Sequence, residues 1–129
     1  MVSSPNFKYV MPNRRSNPLT DIQTNYLSHW LLTYLLLPLL TSTAQNASSG
    51  DVRIINVTSD GHSRYPPKEG IRFDDINLIS EAAMTRYGQS KLANILHINQ
   101  LQERYGPKAG PAGPDEIWVA SVHPGHIDT

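Results

Sequence analysis

A tyrosine and a lysine stand four residues apart in the segment Tyr87-Gly88-Gln89-Ser90-Lys91. In a helix, this spacing places both side chains on one face. A lysine ammonium beside a phenol favours the phenolate, so the phenol can act as an acid or a base nearer to neutral pH than a free phenol can. Taken alone, the pair is only a weak sign of catalysis, because the same spacing is common by chance on ordinary helix surfaces.

Other polar residues stand where a parallel sheet would present them to a ligand. Ser59 directly follows the apolar segment 53–58, and the turn His123-Pro124-Gly125 follows the apolar segment 117–122. Open α/β sheets bind their ligands at the carboxyl ends of the strands. Ser59 is therefore a candidate site residue, although it could be an ordinary turn serine, and Thr58 is the nearest alternative for its role.

Charge and metal-ligand patterns argue against other kinds of site. Eleven basic and eleven acidic residues cancel, and no segment carries a run of one sign, so nucleic-acid binding is not expected. His123 and His126 have a spacing that could suit a metal, but no third ligand lies nearby, and we predict no metal site. The sequence has no cysteine, which suits a reducing compartment, and we expect a cytoplasmic protein.

The hydrophobic pattern predicts the elements that must position these residues. Scattered prolines and asparagines without an apolar period predict an irregular or disordered segment over residues 1–18. Pro66-Pro67 and Gly70 indicate a long irregular loop over 61–80. The remaining pattern predicts, in order, a long and mostly buried helix over 20–40, a buried strand over 52–57, a second long helix over 82–105 and a buried strand over 117–122.

A strand, a crossover helix and a second apolar strand form one right-handed parallel unit. We therefore expect an α/β fold: a partial Rossmann-like domain over residues 19–129, with a doubly wound parallel sheet that is truncated at both ends, since two parallel strands are too few to stand alone. The apolar run from Leu27 to Leu40 is shorter than the ~20 residues that span a bilayer. No membrane span is expected, and membrane association stays open.

Four segments together resemble successive motifs of the classical short-chain dehydrogenase/reductases, in the order of that family. The resemblance covers about residues 19–129. The run Ser90-Lys91-Leu92-Ala93-Asn94 is typical of the retinol-dehydrogenase-like and WW-domain-oxidoreductase-like branch. The four segments are 25–33, 53–59, 87–96 and 121–129.

The resemblance implies an oxidoreductase that uses NAD or NADP to interconvert an alcohol and a carbonyl on a small, apolar substrate. Tyr87 would be the general acid and base, and Ser59 would hold and polarise the reacting oxygen. Lys91 would bind the nicotinamide ribose and favour the ionised form of Tyr87, and Asn25 would hold a water of the proton relay through its helix backbone. The residues expected along the nicotinamide and its phosphates are Pro124, Gly125 and Thr129.

The sequence also departs from the family's pattern. Gly50 is the only glycine before residue 61, so the glycine-rich turn that would cradle the cofactor pyrophosphate is missing, as are the residue that distinguishes NAD from NADP and the segment that would follow Thr129. Three hypotheses stay open: a fragment or truncated product of an oxidoreductase; a non-catalytic protein that associates with other chains, copies of itself included, through residues 20–40 and 82–105; and a binding module unrelated to the family.

Overall fold

The structure is a computed structural model that describes residues 20–108 and 116–125. The segment 1–18, expected to be irregular, lies outside the described residues, and so do His126 and Thr129. The described residues form five elements. They are helix α1, continuous from Thr20 to Ala44, strand β1 (Arg53–Val57), short helix α2 (Gly61–Arg64), long helix α3 (Ala83–Tyr105) and strand β2 (Trp118–Val122).

Strands β1 and β2 pair in parallel, with Arg53 opposite Trp118 and Val57 opposite Val122. Helix α3 is the crossover between them and packs against both strands. The sequence-based expectation of an α/β fold with a parallel strand, helix, strand unit is confirmed. The bounds of α3 and of both strands lie within a residue of those expected.

The core lies between the sheet and the two long helices. Its buried apolar side chains come from β1, from the residues just before each strand, from α3 and from the end of α1. They are Ala44, Val52, Ile54, Ile98, Leu101 and Ile117. Within β1, burial alternates: Ile54 and Asn56 face the helices, whereas Ile55 and Val57 are each 55% exposed. The expectation of a fully buried strand is wrong for the described residues, because the helices cover one face of this sheet.

Helix α1 differs from the sequence-based expectation in its burial and in its geometry. Its turn Gln23–Leu27 is π-helical, which no sequence pattern indicated. The helix was expected to be mostly buried, yet Leu35 is 66% and Leu39 is 63% exposed. Apolar residues occupy every side of α1, and only one side, with Leu37 and Leu40, packs against the core. Across the described residues, no helix is both long enough and apolar enough to cross a membrane.

Candidate active site

Tyr87 and Lys91 lie one turn apart near the start of α3. The Lys91 ammonium nitrogen is 5.5 Å from the centre of the Tyr87 ring. The shared face expected from the spacing of the two residues is therefore present. The structure places this face over the end of β1, where the chain leaves the sheet.

Two glycines let α3 come close to the segment after β1. A Cβ atom at Gly61 would lie 3.0 Å from a carbon of the Tyr87 ring. A Cβ atom at Gly88 would lie 2.7 Å from the backbone nitrogen of Pro66, a contact that neither backbone could relieve without moving. Tyr87 is thereby held against the first residue of α2.

Lys91 is fixed at the carboxyl end of β1. Its ammonium nitrogen donates to the Val57 carbonyl oxygen at 3.2 Å, and the Lys91 carbonyl oxygen accepts from the Thr58 hydroxyl at 3.0 Å. Burial lowers the pKa of Lys91 below its ordinary value, because water is removed from the charged form. The lysine is therefore partly shielded from water beside the phenol ring.

Ser59 lies in the turn between β1 and α2. Its hydroxyl donates to Asp60 Oδ1 at 3.2 Å and accepts from the Gly61 N–H at 3.2 Å. Among the described residues, no hydrogen bond joins Ser59 to Tyr87, although both contact Gly61. The buried Thr58 hydroxyl is already bound to the backbone of α3, which leaves Ser59 as the better candidate of the two for contact with a ligand.

The end of β2 lies near the turn that holds Ser59. His123 Nε2 is 4.0 Å from Asp60 Oδ1, the carboxylate oxygen that also accepts from Ser59. Pro124 and Gly125 follow and are exposed. Gly125 has φ +89°, a conformation that favours glycine, and a Cβ atom there would meet no heavy atom of the described residues within 4 Å. Thr129, expected to continue this edge, lies outside the described residues.

Asn25 occupies the π-helical turn of α1, next to α3. Its side-chain amide donates to the Ser90 hydroxyl at 3.0 Å, and its backbone carbonyl oxygen accepts from the Asn94 side-chain amide at 2.9 Å. His29 Nδ1 also lies 2.9 Å from that carbonyl oxygen. The structure therefore brings Asn25 to the same stretch of α3 that carries Tyr87 and Lys91.

Ser90 and Asn94 contribute to this arrangement and were not singled out as site residues from the sequence. Ser90 is 0% and Asn94 is 1% exposed, so both are fully buried polar side chains. A signal was available, since Asn94 stands seven residues after Tyr87 and three after Lys91, which is the spacing of one helix face. Polar residues on a face that packs against other elements indicate a buried hydrogen-bond network.

No family model matches the chain, and no solved structure matches it. It is 53% identical over 109 residues to a short-chain dehydrogenase/reductase of Aspergillus calidoustus, covering 83% of this chain and 34% of that protein. It is 45% identical over 114 residues to a Schizosaccharomyces pombe protein named an uncharacterized oxidoreductase, covering 84% and 30%. It is 42% identical over 111 residues to a chloroplastic short-chain dehydrogenase of Brassica napus, covering 85% and 32%.

The chain is homologous to short-chain dehydrogenase/reductases. The four motifs predicted kinship with the short-chain dehydrogenase/reductases as a family, and these relatives support it. The retinol-dehydrogenase-like branch stays a prediction. The chain spans about a third of the length of these relatives.

The residues expected along a nicotinamide cofactor lie, where the structure describes them, at the carboxyl ends of β1 and β2. Lys91 presents a partly desolvated ammonium at the end of β1, and Gly125 follows the end of the neighbouring strand β2. A glycine-rich turn for a cofactor pyrophosphate does not occur in the sequence before residue 61.

No group of three or more potential metal ligands occurs between residues 20 and 108 or 116 and 125. His123, one of the two histidines whose spacing could suit a metal, instead lies beside Asp60.

Proposed function

We propose that this chain supplies the catalytic residues of a short-chain dehydrogenase/reductase that uses NAD or NADP to interconvert an alcohol and a carbonyl. The observation that supports it best is the placement of Tyr87 and Lys91 over the end of β1, with Ser59 in the turn that follows. Each of these residue types fits one task in that chemistry, and the homology points to the same reaction class.

In this proposal Tyr87 moves the proton. During carbonyl reduction its hydroxyl gives a proton to the carbonyl oxygen, and during alcohol oxidation the phenolate takes the hydroxyl proton. Lys91, 5.5 Å from the ring centre, stabilises the phenolate electrostatically. When bound, the nicotinamide cofactor supplies or accepts the hydride.

Ser59 holds the reacting oxygen of the substrate by donating a hydrogen bond to it. For this task its hydroxyl must rotate away from Asp60 Oδ1, to which it donates at 3.2 Å. The Gly61 N–H can stay bound to the serine oxygen during the rotation, because that oxygen is an acceptor in the contact. Asn25 contributes its backbone carbonyl to the proton relay, and Pro124, Gly125 and Thr129 line the cofactor.

The substrate is proposed to be small and apolar, as the resemblance to the retinol-dehydrogenase-like branch implies. The choice between NAD and NADP stays open in this proposal, since no residue for it is recognised. A cytoplasmic location stays a prediction, because the relatives include a chloroplastic protein of Brassica napus.

The first test is titration of NADH and NADPH into the chain, followed by an assay of alcohol and carbonyl turnover. We expect saturable cofactor binding. The Tyr87→Phe variant should bind the cofactor like the wild type and lose about 100-fold to 10,000-fold in kcat, because it lacks only the proton carrier. Tyr105→Phe, at the other end of α3, is the matched control and should keep full turnover.

Unchanged kcat in Tyr87→Phe would refute the role of Tyr87. A folded chain that binds neither cofactor would instead favour the second candidate, a non-catalytic protein that associates with other chains or with copies of itself through residues 20–40 and 82–105. The observation in favour of that candidate is the exposure of the apolar side chains of α1.

A further inference from the structure

Asn94 is a buried amide placed between two backbone carbonyl groups. Its nitrogen lies 2.9 Å from the Asn25 oxygen and 3.5 Å from the Val57 oxygen. Both neighbours are acceptors, so the nitrogen and not the oxygen of the amide must face them. The orientation of the side chain is therefore set by its surroundings.

The two carbonyl groups belong to different elements of the site. The Asn25 carbonyl lies in the π-helical turn of α1, a rare geometry that is frequent at functional sites. The Val57 carbonyl group lies at the last residue of β1 and accepts a hydrogen bond from the Lys91 ammonium at 3.2 Å. One side chain of α3 thus connects the π-helical turn to the carbonyl group that fixes Lys91.

A second connection runs parallel to the first. The Asn25 side-chain amide donates to the Ser90 hydroxyl at 3.0 Å, and Ser90 donates to the Tyr87 carbonyl at 2.7 Å. The π-helical turn is therefore bonded to α3 on both sides of Lys91. Asn94 Oδ1, in contrast, has no partner among the described residues, which is a cost to folding that an apolar residue at this position would avoid.

We propose that Asn94 is a positioning residue of the active site. Its amide holds the Asn25 carbonyl of the proton relay and the Val57 carbonyl in one frame, and through Val57 it sets the place of the Lys91 ammonium. This role rests on the proposed function. Asn94 acts through its neighbours and contacts neither the substrate nor the cofactor.

The test begins with NMR on the chain without cofactor. In the wild type, we expect the side-chain amide protons of Asn94 to exchange slowly with solvent. Asn94→Leu removes both donors from a side chain of similar shape, and the carbonyl carbon signals of Asn25 and Val57 and the side-chain signals of Lys91 should then move. Gln89→Leu is the matched control, in which the same signals should keep their wild-type positions. It removes another fully buried amide of α3, whose partners are Arg72 and Ile76.

Kinetics give the second measurement. In Asn94→Leu, kcat should fall about tenfold, which corresponds to the loss of one well-placed interaction in the transition state. The KM for the substrate should change little, and the pH at which kcat reaches half its maximum should change. A residue that only supports the fold would lower the amount of active protein and leave the pH profile where it was.

The proposal is overturned if Asn94→Leu folds and the Lys91 signals stay at their wild-type positions, or if the Asn94 amide protons exchange rapidly in the wild type. If Asn94→Leu does not fold, Asn94→Ser replaces it, since a hydroxyl keeps one donor. Smaller displacements of the same signals are then expected, and the proposal is overturned if these signals do not move at all. If the wild type has no turnover with either cofactor, the proposed function fails, and the NMR signals alone decide the role of Asn94.

Discussion

His97 shows how burial on α3 affects a single titratable side chain. Its ring lies edge-on to the Tyr26 ring at 5.9 Å between centres, and its Nδ1 is 3.5 Å from the Asn56 amide nitrogen. Burial lowers the pKa of His97 below its ordinary value. The unfolded chain keeps the ordinary value, so it binds more protons than the folded chain between the two pKa values, and stability falls as the pH drops through that window.

We predict that His97→Gln weakens the pH dependence of stability. As the pH falls from about 7 through the two pKa values of His97, the free energy of unfolding of the wild type should fall, and the variant should lose less of it, because it has no half-buried imidazole to protonate. Chemical denaturation at several pH values measures this. The control is Asn99→Gln, at an exposed and uncharged position of the same helix, and its slope should match that of the wild type; equal slopes for all three proteins would contradict the prediction.

The types of the site residues could be predicted, and their hydrogen bonds could not. Tyr87 and Lys91 are four residues apart, so the helix alone determines that they meet. Asn94 binds Asn25, which is 69 residues away, and Ser90 binds the same residue over a separation of 65. Contacts over such separations depend on how the elements pack, which local spacing does not encode.

At the scale of elements, the segment after α2 is held against α3 chiefly by Gln89. This side chain is 1% exposed; its oxygen accepts from the Arg72 N–H and its nitrogen donates to the Ile76 carbonyl, both at 2.9 Å. Leu78 is completely buried and has φ 49°. Arg72 also pairs with three carboxylates on the surface, and such exposed pairs add little stability.

Replacing Gln89 should loosen this segment. Gln89→Leu leaves the Arg72 N–H and the Ile76 carbonyl without partners, which we expect to cost about 1–3 kcal/mol in the free energy of unfolding. Limited proteolysis should then cut between residues 65 and 82 sooner than in the wild type. Gln100→Leu, an exposed position on the same helix, should resist cleavage like the wild type, and equal cleavage of both variants would refute the role of Gln89.

The extent of the elements was easier to predict than their burial. Apolar spacing and the turn at Gly106 defined α3 almost to the residue, because those signals are local. The spacing of apolar residues in α1 indicated a helix, but how much of it is buried depends on what covers it. The π-helical turn at Gln23–Leu27 was missed for a similar reason, since its Asn25 carbonyl is bonded by a residue of another helix.

For the whole molecule, the exposed apolar side chains of α1 are an unusual surface feature. Its exposed apolar side chains include Trp30, Leu32, Leu35 and Leu39, and Trp30 stacks on Tyr34 with ring centres 5.5 Å apart. Apolar surface of this kind favours association, because its removal from water is favourable. These side chains belong to the segment 20–40 for which association was expected.

We predict that Leu35→Glu shifts the chain towards the monomer. Burying one leucine in an interface contributes about 1.5–3 kcal/mol, so the dissociation constant of any self-association should rise about tenfold or more. Sedimentation velocity over a range of concentrations measures the shift. Ser42→Glu adds the same charge at an exposed polar position of α1 and should leave the sedimentation unchanged; a wild type that is monomeric throughout would rule out self-association through this face.

The register of the sheet also has a consequence for how the chain folds. Arg53 pairs with Trp118, and the four following pairs keep the same separation of 65 residues (118 − 53). Closing a loop of that length costs about 4 kcal/mol in chain entropy before the first ladder bond forms. Local contacts of α3 with α2 and the end of β1 span less chain, so they can form early. The pairing of β1 with β2 and the docking of α1 on α3, which spans 65 to 69 residues, should then be late steps of folding.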